Sequence, residues 1–141
     1  MNRFLASCLA LITVFACQLY AKNLFQNQPN VQQPPKGFSY PESPETIQID
    51  VPYEAKSLSG RVVDSNGATI EKALVELLDH GWGKRLDAVF SDSNGWFSFP
   101  RTSGKTGYIR LSNPGFSTSL IKVRIRKRVG SGLTIKLVPS K

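Results

Sequence analysis

Sulfur and imidazole are scarce in this 141-residue chain, which holds 2 cysteines, 1 methionine and 1 histidine. Both cysteines, Cys8 and Cys17, fall in the N-terminal apolar stretch. If that stretch is removed no thiol remains, which excludes disulfides and thiolate metal sites and leaves an apolar core to supply stability. A single histidine, His80 in Asp79-His80-Gly81-Trp82-Gly83, cannot build a multi-histidine metal centre. No Gly-x-Ser-x-Gly elbow accompanies Asp79 and His80, and no close carboxylate pair is present, so the usual acid, base and nucleophile sets are missing. His80 reads as an exposed loop residue. The expectation is a chain that is not an enzyme, with no catalytic residue, no metal and no cofactor.

Long apolar runs are lacking as well. The longest, from Phe4 to Cys17, covers about 14 residues, short of the roughly 20 that a membrane-spanning helix needs. It follows Arg3 and ends in small residues, the layout of a signal peptide over residues 1–21, with Leu19-Tyr20-Ala21 as cleavage site and Lys22 as the new N-terminus. Cys8 after Leu5-Ala6-Ser7 and Cys17 after Val14-Phe15-Ala16 each look like a lipoprotein box. Cys8 has almost no apolar run before it, and Phe15 stands where a small residue is usual before Cys17. Lipidation at Cys17 is therefore the lesser alternative, and the one expected route to a membrane. The expected location is periplasmic or secreted.

Acidic residues are few: 10 Asp and Glu face 18 Lys and Arg, for a formal charge of +8. Arg3 is the only charge in the leader, so its removal leaves +7. This balance favours acidic partners and says nothing of fold. A polysaccharide or an acidic envelope component is the expected partner, and nucleic acid is not.

Residues 22–56 are rich in Gln, Asn and Pro and lack a sustained apolar period, so their burial does not offset chain entropy and they read as a disordered linker. One stretch departs from this. Thr46-Ile47-Gln48-Ile49-Asp50-Val51 alternates like a strand that pairs with a domain edge.

From Leu58 the chain changes to short alternating runs separated by turns, the pattern of an all-β sandwich. Seven strands are read: Ser57 to Val63, Ala73 to Leu78, Arg85 to Ser91, Trp96 to Phe99, Tyr108 to Ser112, Leu120 to Val129, and the run through Leu133, Ile135 and Leu137. Asp-Ser-Asn-Gly occurs twice, at 64–67 and 92–95, each time as a turn whose Asn and Gly tolerate positive φ. Little helix is expected.

These residues carry a resemblance. Ser59-Gly60-Arg61-Val62-Val63-Asp64 with Gly67, Ile70, Ala73, Val75 and Leu77, then Ser91-Asp92-Ser93-Asn94-Gly95-Trp96-Phe97-Ser98-Phe99, and Tyr108-Ile109-Arg110-Leu111 before Asn113-Pro114-Gly115-Phe116 resemble the landmarks of carboxypeptidase regulatory-like domains over about residues 57 to 138. The resemblance implies a seven-stranded Greek-key, prealbumin- or transthyretin-like sandwich, here a domain over 57–139. It also implies an accessory, non-catalytic module, and the grouping of the family with carbohydrate-binding-like folds suggests sugar binding. Function has to be argued from the site.

Two near-motifs fail on inspection. Ser103-Gly104-Lys105-Thr106 has Phe99 where a phosphate-binding loop needs glycine, and a strand follows instead of a helix. The two Asp-Ser-Asn-Gly turns lack the further acidic ligands of a calcium loop, so turn chemistry accounts for them unless Asp64 and Asp92 meet on one ion.

Two surfaces are left as binding candidates. Lys122, Arg124, Arg126 and Arg128 alternate with Ile121, Val123 and Ile125, so they form a row within about 20 Å at roughly 6.6 Å spacing. Such a row suits phosphate or carboxylate groups. The favoured plainer reading is a solvated face that guards an exposed strand against aggregation. Trp82, between two glycines, is a candidate sugar-stacking residue, with packing over the end of the sandwich favoured. Trp96 reads as a structural cross-strand contact, and Tyr108 is ambiguous. The alternative to glycan binding is a structural subunit that pairs with a protein partner through an edge strand.

Overall fold

The computed structural model describes residues 31–99, 106–126 and 132–141. The stretch expected as a signal peptide, with Cys8 and Cys17, the Ser103-Gly104-Lys105 segment and Arg128 lie outside the described residues. Eight strands are present among the described residues: β1 Thr46–Ala55, β2 Ser59–Val63, β3 Leu74–Leu78, β4 Arg85–Phe90, β5 Trp96–Ser98, β6 Thr106–Ser112, β7 Thr118–Ile125 and β8 Leu133–Lys136. The one helical element among the described residues is a single 3-10 turn, His80–Trp82. The seven expected strands are β2 to β8, and the fold is an all-β sandwich of two sheets, ordered β1-β7-β6-β3-β4 and β5-β2-β8.

Period-two alternation produces the core. Burial along β6 and β7 switches at every residue up to Val123, placing Ile109, Leu111, Ile121 and Val123 inside. They meet Val62, Phe97, Leu133, Ile135 and Leu137 from the smaller sheet in one cluster. In β4 it is Val89 that points inward. Ala88 and Phe90 share the outer face, and Leu86, passed over where the pairing with β3 shifts register, is exposed.

The repeated turn has one structure. In each copy the aspartate Oδ1 accepts two backbone N–H bonds, from Asn66 and Ala68 at 2.8 Å onto Asp64, and from Asn94 and Trp96 at 2.9 Å onto Asp92. Gly67 and Gly95 close the turns at φ +88° and +75°. The aspartates are thus turn-formers. Among the described residues no group of three His, Cys, Asp or Glu is placed to hold a metal. Asp92→Ala is expected to cost about 1 kcal/mol in a urea denaturation, since one acceptor of two backbone donors is lost. Calcium is expected to leave the melting temperature of the native chain unchanged, and a rise would reinstate an ion between the turns.

The stretch expected as a linker differs in the structure: from Val31 onward it is an arm packed on the five-stranded sheet. β1 runs parallel to β7 as an edge strand, with Ile49 opposite Ile121 and Ala55 opposite Ile125, and a bulge around Pro52 between Ile49 and Tyr53. A proline has no N–H to donate, so a bulge is where β1 accommodates it. Upstream, Phe90 N–H donates to the Gln32 carbonyl at 2.8 Å. Phe38 and Tyr40 meet Phe90, with ring centroids 5.4 and 6.5 Å away. Leu74, the cross-strand partner of Phe90, is fully buried although it faces away from the inter-sheet core. Two aromatics and an alternating run supply burial that the Gln- and Pro-rich composition conceals.

Candidate functional site

The site is built on the outer face of the five-stranded sheet, where strand register decides the neighbours. Glu76 on β3 stands opposite Arg110 on β6, and Tyr108 on β6 stands opposite Lys122 on β7. One residue pair further on, Arg124 of β7 stands opposite Glu54 of β1.

Glu76 sits in an otherwise apolar strand and is 1% exposed, so its charge requires partners. Arg110 grips it with two bonds, Nε to Oε2 at 2.6 Å and Nη2 to Oε1 at 2.9 Å. Arg85 adds a third at 3.1 Å and also donates to the Phe38 carbonyl of the arm at 2.6 Å. Arg110's pKa is raised above its ordinary value by the hydrogen bond to Glu76, against the opposing effect of burial; the charges of Glu76 and Glu42 add to the rise. Burial likewise raises the Tyr40 pKa, and its hydroxyl donates to the Lys72 carbonyl at 2.9 Å.

Between the arm and the sheet lies a cleft of about 350 Å³. Glu76, Arg110, Ser112, Thr118 and Leu120 line it from the sheet, residues 39–43 and Thr46 from the arm, and Trp82 from the β3–β4 turn. That turn is tightly constrained. Trp82 has φ +65°, a costly conformation for a bulky residue, and a side chain at Gly83 would approach Asp79 Oδ1 to 2.6 Å. Trp82 is half-buried and packs on Tyr108, ring centroids 5.0 Å apart and planes at 88°. His80 is exposed and also packs on Tyr108, at 5.5 Å.

The structure places Lys122, Arg124 and Arg126 on the outer face. Lys122 Nζ lies over the Tyr108 ring at 5.6 Å, while Arg124 and Arg126 reach Glu54 at 4.0 and 2.9 Å. Edge protection does not account for the row, because β7 is an interior strand covered by β1. The two surfaces read separately in the sequence, the basic row and Trp82, meet through Tyr108. Arg110 and Glu76 were not singled out by sequence reasoning; the signal available was a lone acid in Ala73 to Leu78 and the alternation Tyr108-Ile109-Arg110-Leu111. Trp96 is elsewhere, 42% exposed on the smaller sheet with its cross-strand partner Arg61 over its ring at 5.6 Å.

A search among curated proteins finds none that matches the chain. Residues 57–138, which hold β2 to β8 and every sheet residue of the site outside β1, match a family described as the carboxypeptidase regulatory-like domain. To that family the chain belongs.

Proposed function

We propose that the protein is an exported, non-catalytic module that binds a sugar-based anionic component of the cell envelope on the outer face of its five-stranded sheet. The observation that carries this reading is the meeting of Trp82, Tyr108 and Lys122, which sets an aromatic surface beside a row of cations. Aromatic rings suit the apolar faces of sugars, and Arg forks suit their carboxylate or phosphate groups. Glu54 of β1 pairs with the row, yet ion pairs as exposed as these contribute only about 0–1 kcal/mol, so a polyanion displaces Glu54 readily. A regulatory-like rather than catalytic family supports the non-catalytic part. The N-terminal apolar stretch supports export; an intact mass of the exported protein starting at Lys22 is the expected result, and a lipid-bearing Cys17 the contrary one.

The test is retention of the purified protein on immobilised polygalacturonate against dextran. Retention on the polyanion is expected to fall with salt and to weaken severalfold in the double variant Arg124→Ser, Arg126→Ser. Glu54→Gln is expected to strengthen it. Indifference to salt and to all three substitutions would overturn the ionic reading. Pairing with a protein through β1 is less well supported, since the Pro52 bulge interrupts that edge.

A further inference from the structure

We propose that the cleft between the arm and the sheet is a subsite for one uncharged pyranose unit of the bound glycan. This rests on reading the outer face as glycan-binding and adds a second kind of contact to it: the basic row attracts the polymer, and the cleft grips a single neutral sugar.

Charge separates the two places. Along β7 and just past its end the cations Lys122, Arg124 and Arg126 outnumber Glu54, their one salt-bridge partner among the described residues, at 4.0 Å from Arg124 and 2.9 Å from Arg126. At the cleft, Glu76 is shared by Arg110 and Arg85, and Glu42, close enough to stabilise the Arg110 guanidinium further, balances the second cation. An anion therefore gains little there. A ligand rich in hydroxyls gains more, because each hydroxyl both donates and accepts. Glu42 supplies acceptors, Arg110 keeps its Nη1 without a partner among the described residues, and Ser112 and Thr118 do both.

The site is also formed in advance. The Arg110 fork is fixed by a carboxylate that is itself buried, so little side-chain freedom is lost when a ligand arrives. Trp82 stands in the left-handed region at φ +65°, with its ring braced against Tyr108. Strain kept at a half-buried tryptophan that lines a cleft points to recognition. The volume of about 350 Å³ lies in the range of small-ligand sites and suits one ring rather than a chain.

The test is calorimetric titration of the full-length protein with four neutral tetrasaccharides: cellotetraose, maltotetraose, mannotetraose and chitotetraose. At least one is expected to bind with an affinity unaffected by salt. Trp82→Ala and, separately, Thr118→Val are expected to weaken it tenfold or more; Thr118→Val preserves side-chain shape, so the fold is retained if the tryptophan variant is unstable. The Arg124→Ser, Arg126→Ser variant is expected to bind the tetrasaccharide as before. Failure of all four to bind, or binding indifferent to both cleft substitutions, would overturn the proposal. Loss of neutral-sugar binding with salt-sensitive retention on polygalacturonate intact would sink the subsite alone, and the reverse pattern the ionic reading alone.

Discussion

Gly60→Ala is expected to destabilise the protein by about 3 kcal/mol, at the upper end of what overpacking costs. An added methyl inside a strand ordinarily stabilises by reducing chain entropy, so the sign here depends on the surroundings. Gly60 pairs with Leu133 in the parallel β2–β8 ladder, and a Cβ at 60 would overlap the Leu133 carbonyl and crowd its Cβ at 2.6 Å. Backbone has no rotamer by which to withdraw. The ladder must open, and with it the burial of Leu133 and Ile135 in the core. Gly67→Ala is the control: it meets nothing within 4 Å and carries only the strain of φ +88°, about 1 kcal/mol. Urea denaturation of both variants tests the comparison, and equal losses would refute the crowding at Leu133.

Glu76→Ala is expected to cost about 2–3 kcal/mol and to lower the melting temperature by roughly 10 °C. Removing one partner of a buried ion pair leaves the others uncompensated, and here two guanidiniums would be left side by side. The loss falls short of the range for wholly buried pairs because Arg85 and Arg110 are 28% and 38% exposed, so water reaches both. Arg85 also holds the arm at Phe38, so its release is expected to make the arm more susceptible to limited proteolysis. Thermal denaturation with and without protease checks both effects. An unchanged melting temperature would mean that the arginines find solvent at no cost.

Strand period made most of the sandwich readable. Ile121, Val123, Leu133 and Ile135 alternate with charged or hydroxyl residues, and each is buried as that alternation requires. The arm was harder to read because its contribution is sparse: Phe38 and Tyr40 are separated by a single serine among prolines and polar residues, and they bury area by meeting each other and Phe90, far along the chain. Thr46 to Val51 did show its alternation, and it is the start of β1. In β4 Ala88 and Phe90 take the outer face, since Val89 opposite Val75 sets the register. The site was legible residue by residue and not as an assembly. Lys122 to Arg126 and Trp82 stand out in the sequence, whereas their junction at Tyr108 depends on β3, which leads into the Trp82 turn, pairing with β6, a long-range contact that no local pattern encodes.

The central claim is that ligand meets the outer face of the five-stranded sheet. It is tested most directly by titrating 15N-labelled protein with trigalacturonic acid and following the backbone amides and the indole N–H of Trp82 by NMR. The predicted result is a contiguous set of shifts at Trp82, Tyr108, Lys122 and Arg124, reversed by salt. Shifts confined to Arg61, Trp96 and Thr134 on the smaller sheet, or no shifts at all, would contradict it.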